Sequence, residues 1–332
     1  MEIVKRIEAL SPESSHLMGG LQNKVEAFTL AHLSDLHLSS LNGVGIRALV
    51  NKRILGYLSW RLRRKAEHDG AVLKALLQDL QRCKPDHIAV TGDLTHLGLP
   101  QEFQEARDFL LRLGPPHKVT VIPGNHDAYI STSWNRTFSL WADYMLSDEL
   151  ETGIDKESEN QSIFPSLRIR GNAALIGVSS AVPSAPFFAV GSIGKNQLER
   201  LKTILTEIRR KNLFRVLLIH HPPLGGTVRW RKRLTDAAPL RSLLEDYGTE
   251  LVLHGHAHKT SMTSMRTTAG RAEVIGVPSA TSLGRNPGSG ARYHLYALSR
   301  SEKHWKLQLF VRGYSRMKKR FVSEEARDLP YL

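Results

Sequence analysis

Residues 118–127 read KVTVIPGNHD: a short apolar run, a Pro-Gly turn, then an amide, an imidazole and a carboxylate on successive positions. Such a run reads as a buried strand whose C-terminal end opens into a site. Working outward from it, the same form recurs. FTLAHLS at 28–34 leads into Asp35-Leu36-His37, HIAVTG at 87–92 leads into Asp93, FRVLLIH at 214–220 leads into His221-Pro222-Pro223, and ELVLHG at 250–255 leads into His256-Ala257-His258. NAALIGVSS at 172–180 is a further core strand. Apolar residues at helical spacing fill 69–82, 101–113, 195–211 and 238–247, so strand and helix alternate. After Lys259 only short β-like stretches follow, SMTSMRTT, AEVIGVPS, RYHLYALS and HWKLQLFV, with turn-rich RNPGSG at 285–290. This order predicts an α/β domain built as a four-layer αββα sandwich, two mixed β-sheets stacked face to face with helices outside. The acidic stretch 148–162 reads as an exposed loop.

Five of these strands end in residues that bind metals. In an extended segment residues two apart point the same way, so Asp35 and His37 can reach one ion. Gly92 lets the backbone turn sharply into Asp93. A lone histidine at a strand end is more often simply hydrogen-bonded. Five such blocks are different, because in an open α/β sheet the C-terminal strand ends gather at one edge, where ligands bind. Cys83 is the single cysteine, which excludes an internal disulfide and a thiolate-rich zinc site. Metal must therefore be held by His, Asp, Asn or Glu.

The order D-x-H, G-D, G-N-H-D, H, G-H-x-H resembles the calcineurin-like metallophosphoesterase superfamily, and within it the branch of bacterial cyclic-nucleotide and glycerophosphodiester phosphodiesterases. The resemblance runs from Phe28 to about Tyr293. It implies a domain over 28–312, between an N-terminal extension (1–27) and a basic C-terminal tail (313–332). It further implies two divalent ions, one held by Asp35, His37 and His258, the other by Asn125, His220 and His256, with Asp93 bridging them. His220 is preferred to His221 because the family's ligand stands two residues before a proline, here Pro222; His221 is left to face substrate or to pack. His126 is the implied catalytic imidazole, with Asp127 available to orient it. Ligation by N and O without sulfur suits Mn, Fe, Zn, Co or Ni, with Mn or Fe expected. Two cations about 3.5–4 Å apart would neutralise phosphoryl oxygens and make hydroxide available near neutral pH, while an imidazole protonates the leaving oxygen.

The expected reaction is hydrolysis of a phosphodiester or pyrophosphate bond in a lipid- or nucleotide-linked substrate, by attack of a metal-bridged hydroxide. The alternatives are a soluble cyclic-nucleotide phosphodiesterase, then a nuclease, and last a scaffold without metal. The second block, Gly92-Asp93-Leu94-Thr95-His96-Leu97-Gly98, lacks the Arg of the protein-phosphatase branch, which argues against phosphoprotein substrates. His126 stands where one branch of the similar lipid A precursor hydrolases carries Arg, which sets this chain outside that branch.

Charge bears on the substrate. The chain of 332 residues has 46 Lys and Arg against 32 Asp and Glu, a net charge of +14, and so favours an anionic partner. No acidic residue lies between Leu36 and Ala66, while Arg47, Lys52, Arg53, Arg61, Arg63, Arg64 and Lys65 do. Interleaved with Leu49, Val50, Ile54, Leu55, Tyr57, Leu58, Trp60 and Leu62, they predict a basic amphipathic helix over 46–65. Such a helix either lies on an anionic bilayer or packs its apolar side on the domain with its charges solvated. Arg229, Trp230, Arg231, Lys232 and Arg233 combine cations with an aromatic face, and read as a basic lid over phosphate rather than a nucleic-acid module. Further cations cluster at Arg316, Lys318, Lys319 and Arg320. The N-terminus has no apolar stretch like a signal peptide, and no run reaches 18 apolar residues, so a cytoplasmic protein is expected, peripheral on the inner membrane if the basic helix binds lipid.

Overall fold

A computed structural model describes residues 27–38, 41, 44–49, 51–64, 70–148, 163–284, 290–300 and 304–329. The N-terminal extension to residue 26, most of the acidic loop (149–162), Val50, Lys65 and the turn 285–289 lie outside the described residues.

Among the described residues twelve strands form two six-stranded sheets. In the first, β1 (Phe28–Leu33), β2 (His87–Val90) and β3 (Val119–Val121) run parallel, and β10 (Arg292–Arg300), β11 (Trp305–Ser315) and β12 (Arg320–Asp328) continue antiparallel from the other side of β1. In the second, β5 (Ala173–Gly177), β6 (Phe214–Leu218), β7 (Leu251–His254) and β9 (Gly270–Gly276) are parallel, with β4 (Ser166–Arg170) and β8 (Ser261–Thr267) antiparallel at the two edges. Both sheets are mixed, as the sequence predicts.

The parallel strands carry unbroken apolar runs because both of their faces are covered. Alternation within a strand assigns each residue to one face or the other. Leu175, Phe214, Val216, Leu251, Leu253 and Ile275 join the large core shared with the first sheet. Their neighbours Ala174, Ile176, Leu217, Val252 and Val274 face a second core. That second core is closed by α5 (Lys195–Lys211) and α6 (Ala237–Tyr247), through Leu201, Ile204, Leu205, Ile208, Leu240 and Leu244. On the first sheet α2 (Gly70–Cys83) and α3 (Pro100–Leu113) supply Val72, Leu76, Leu80, Phe103 and Phe109. These four helices lie within a residue of the predicted spans, since their apolar stripes are their packing faces; a further short helix, α4 (Ala142–Met145), adds Tyr144 and Met145 to the large core.

The first sheet extends past residue 312, the end of the domain expected from the sequence. β12 pairs along β11, and Arg312 is buried, donating Nε–H and Nη2–H to the two oxygens of Asp79 on α2 at 3.0 and 2.8 Å. Tyr293 on β10 donates its hydroxyl to the same carboxylate at 2.7 Å. Residues 313–328 are thus part of the sheet, and the basic cluster at 316–320 sits on its last turn.

The basic segment forms a 3₁₀ turn (Ile46–Leu49), a short helix α1 (Arg53–Ser59) and a π-helical turn (Trp60–Arg64). Its packing inverts the usual order. Arg53 and Trp60 are buried, whereas Ile54, Leu55, Leu58 and Leu62 are exposed, Leu62 by 77%. A small cluster of Leu41, Leu49, Trp60, Leu97 and Leu99 fixes the segment to the loop after β2.

Candidate metal centre

The five blocks converge at the C-terminal ends of β1, β2, β3, β6 and β7. The ligand atoms of Asp35, His37, Asp93 and His258 all lie within 4.8 Å of one another, and so do those of Asp93, His220 and His256. Asp93 is common to both groups. Asn125 completes the second, its Oδ1 3.2 Å from His220 Nε2. All seven residues named from the sequence therefore meet at one place.

The backbone is bent to achieve this. Asp35, His37, Asp93, His256 and His258 have φ of 52°, 43°, 57°, 65° and 51°. A left-handed conformation costs a non-glycine residue about 1–2 kcal/mol, so it persists only where the surroundings enforce it. Here they do. Asp35 and His37 donate backbone N–H to Gly92 O and Asp93 O at 3.0 and 2.9 Å. Asp35 Oδ2 accepts His256 N–H at 3.0 Å, and Asp93 Oδ1 accepts His126 N–H at 2.8 Å, which ties the first block to the fifth and the second to the third. Gly92 (φ 93°) sits so close to Gly124 that a Cβ would lie 2.5 Å from its nitrogen.

The second block also orients the imidazoles of three others. His37 donates Nδ1–H to Thr95 O (2.9 Å), His220 to Thr91 O (2.6 Å) and His126 to His96 O (2.6 Å). A donating Nδ1 leaves Nε2 as the nitrogen turned to the centre. His256 is held in the opposite sense, with Nε2–H donated to Lys232 O at 2.9 Å, which turns Nδ1 inward and connects the 229–233 loop to the site.

Two buried carboxylates at this density need positive charge. His258 Nε2 stands 3.1 Å from Asp35, and His220 Nε2 stands 3.4 Å from Asp93. Burial would raise both carboxyl pKa values, but the facing imidazoles hold Asp35 well below the usual range and Asp93 below it. Burial alone would lower the His220 pKa, yet Asp93 and Asp35 hold it up to about 9. The positive charge that these carboxylates call for is the charge a metal cation would supply. The donor set, N and O around a shared carboxylate without sulfur, fits two such ions.

One expectation changes at close range, and one alternative left open is decided. Asp127 does not orient His126. Its Oδ2 accepts the backbone N–H of Asp93 and Gly124, and its Oδ1 accepts the N–H and hydroxyl of Thr95, all at 2.9–3.0 Å. The carboxylate clamps the second block to the third, and His96 O orients the ring. Burial and then Asp93 push the Asp127 pKa up to about 7 against those hydrogen bonds. His221, left open by the sequence, packs. It donates Nε2–H to Ala189 O (3.3 Å), receives the Ser180 hydroxyl on Nδ1 (2.7 Å), and burial and His220 lower its pKa to about 3.

His96 was not singled out from the sequence, although it lies inside the second block. Its ring stacks on His37 with centroids 4.8 Å apart and meets Trp60 at 6.4 Å. Only its place beside Asp93 signalled it. A cleft of about 560 Å³ at the centre is lined by Asp93, Asn125, His126 and His258, by Lys52, Leu55, Trp60 and Leu62, and by Ser184, Phe187 and Phe188. Lys52 joins the last two segments, donating Nζ–H to Ser184 O at 2.6 Å.

The chain is similar to known proteins over most of its length. The family described as calcineurin-like phosphoesterase matches residues 28–260. A glycerophosphodiester phosphodiesterase, GpdQ, of Enterobacter lignolyticus is 25% identical over 242 residues, covering 71% of this chain and 73% of that protein. A probable cyclic nucleotide phosphodiesterase of Ruthia magnifica is 25% identical over 192 residues, covering 57% of this chain and 69% of that protein. The crystal structure of a dimetal phosphatase from Danio rerio superposes with a TM-score of 0.55 at 14% identity, covering 92% of this chain and 99% of that one, a likeness of fold.

Proposed function

This chain belongs to the calcineurin-like phosphoesterase family and is a metal-dependent phosphohydrolase, and from that premise we propose that it cleaves a phosphodiester or pyrophosphate bond of a lipid-linked substrate at an anionic membrane surface. One observation supports this above the rest. The cleft that holds His126 and four of the candidate ligands, Asp93, Asn125, His256 and His258, is lined by exposed apolar side chains from two separate segments, Leu55 and Leu62 from one and Phe187, 78% exposed, from the other. Contiguous exposed apolar surface around a site marks a place where something apolar is met. Arg61 beside it is exposed, as is fitting for a head group or an anionic bilayer. Among the described residues no helix is long and apolar enough to cross a membrane, so contact would be peripheral.

Asp35, His37 and His258 would hold one ion, Asn125, His220 and His256 the other, with Asp93 between them. The ions, when bound, neutralise the phosphoryl oxygens and lower the pKa of water at the centre. The chain's own residues supply the rest. In the protonated ring, His126 Nδ1–H is held by His96 O, so the Nε2 proton is the one that is passed on. Transfer of that proton to the departing oxygen leaves a neutral imidazole with Nδ1–H still in place, so the ring does not move as the bond breaks. His37, in edge contact with His126 at 4.9 Å, limits its rotation.

The test is flotation of the full-length protein with phosphatidylglycerol vesicles, beside a variant in which Arg61, Arg63, Arg64 and Lys65 are replaced by Gln. Wild type should float and the variant should not, with hydrolysis of bis(p-nitrophenyl) phosphate in Mn(II) equal for both. A wild type that stays in the soluble fraction ends the membrane reading and leaves a soluble phosphodiesterase, such as the cyclic-nucleotide enzymes named among the relatives.

A further inference from the structure

Arg53 serves no surface role for α1. Buried at the start of that helix, it donates Nε–H to Leu97 O at 3.0 Å and Nη2–H to Gly98 O. On the other side of the same loop, the buried Glu102 carboxylate accepts the backbone N–H groups of His96 (2.7 Å), Leu97 (3.0 Å) and Leu99 (2.9 Å). A cation holds the loop by its carbonyls and an anion holds it by its amides. Each charge meets the backbone dipole it attracts, in a dry setting where such bonds are strong. Between these grips is the carbonyl of His96, the acceptor for His126 Nδ1–H at 2.6 Å.

A second route joins the same two places. Gly56 of α1 lies against Leu97 and Tyr129; a Cβ there would fall 2.4 Å from Leu97 Cδ2 and 2.6 Å from Tyr129 Oη. Tyr129 in turn stacks on His126, centroids 5.9 Å apart and planes 16° apart. The helix that carries the exposed leucines is thus coupled to the catalytic imidazole through a hydrogen-bonded loop and through a ring stack.

We infer that Arg53 is a positioning residue for His126: by fixing the carbonyls of Leu97 and Gly98 it sets His96 O, and with it the direction in which His126 offers its Nε2 proton. The inference rests on His126 as proton donor in the proposed reaction. An arginine suits the task because its planar fork meets two successive carbonyls at once, which a lysine cannot do. A helix that needed only an anchor could place a leucine here, at no desolvation penalty.

Loss of a positioned proton donor is felt most by a poor leaving group. The experiment therefore compares kcat for methyl p-nitrophenyl phosphate, whose phenolate departs with little help, and methyl phenyl phosphate, whose phenolate needs a proton. Full-length Mn(II)-loaded wild type, Arg53→Met, Arg53→Lys, Gly56→Ala and His126→Ala are measured, each with its metal content. His126→Ala should raise the ratio of the two rates by about 100-fold, the lower end of general-acid contributions. Arg53→Met should raise it by about tenfold with metal content unchanged, Arg53→Lys by less, and Gly56→Ala in the same direction. If the Arg53 and Gly56 variants slow both substrates in equal proportion, or lose metal, their role is structural and the inference is overturned. If Arg53→Met does not fold, Arg53→Lys decides by the same criterion. If His126→Ala leaves the ratio unchanged, His126 is not the proton donor, and the inference falls with its premise.

Discussion

His87, the first residue of β2, and His294, within β10, are both paired in a ladder, whereas His220 stands two residues past the end of β6, and all three are buried. The laddered pair rest on hydroxyls: His87 Nε2 is 2.7 Å from Thr120 Oγ1, and His294 Nδ1 is 3.3 Å from Tyr296 Oη. Burial, then Arg170, Arg168 and His117, lower the His87 pKa to about 2; burial, then Arg292 and Arg327, lower that of His294 to about 3. Burial acts on His220 in the same direction, but Asp93 reverses it. Within a ladder the neighbours of a side chain are set by pairing, and here they are apolar, hydroxylic or cationic. Past the strand end the chain is free to turn, and the left-handed Asp93 brings a carboxylate to the ring. Burial alone therefore does not mark a functional histidine; the company of a carboxylate does.

The strongest way to break this comparison is to remove the carboxylate. Asp93→Ala should lower kcat on bis(p-nitrophenyl) phosphate by on the order of 10³-fold or more, the scale of losing one fixed electrostatic stabiliser, while His87→Gln retains wild-type turnover. Equal losses would erase the distinction between a histidine paired in a ladder and one past the C-terminal end of a strand. A smaller effect tests the clamp behind the carboxylate. Asp127→Asn should weaken Mn(II) binding by about 10- to 100-fold in a chelator competition, as loss of a ligand's supporting contacts does, because an amide cannot accept from Asp93, Gly124 and Thr95 together. Unchanged affinity would mean that the second and third blocks hold their geometry without it.

The smallest effect concerns pH. His87 and His294 have folded pKa values below their unfolded value of about 6.5, so the unfolded chain takes up protons first as pH falls. Their contribution to stability is complete above that value and declines as pH drops toward 2 or 3. Each group adds a slope of up to about 1.4 kcal/mol per pH unit. Urea unfolding of the chelated protein between pH 7 and 5 should show this decline, and His87→Gln should remove one group's share of it. Identical slopes in the two proteins would show that His87 is not held neutral by its strand.

Much of this was legible in the sequence because periodicity and burial coincide. Leu201, Ile204, Leu205 and Ile208 recur at helical spacing and are the residues that α5 buries. The five blocks were legible because each follows an apolar run, and parallel topology gathers the ends of such runs. What escaped notice depends on polar residues put to interior use. β4 was missed because Arg168 at its centre is buried, donating to the carbonyls of Leu146, Pro116, Val119 and Asp143. β12 reads as a charged tail, since an edge strand can stay polar. Asp127 is next to His126 in sequence, yet the turn sends the two side chains to different partners. Periodicity found α1 but could not say which face turns inward, and the answer is the arginine rather than the leucines.

The left-handed backbone at Asp35, His37, Asp93, His256 and His258 has an evolutionary side. At each of these positions glycine would relax the chain, and at the two aspartates it would also relieve a buried charge. On the proposed reaction, a lineage selected for thermal robustness alone would drift toward a tougher but inert descendant of this protein, and only catalysis would keep the five residues against the preference of the fold that carries them.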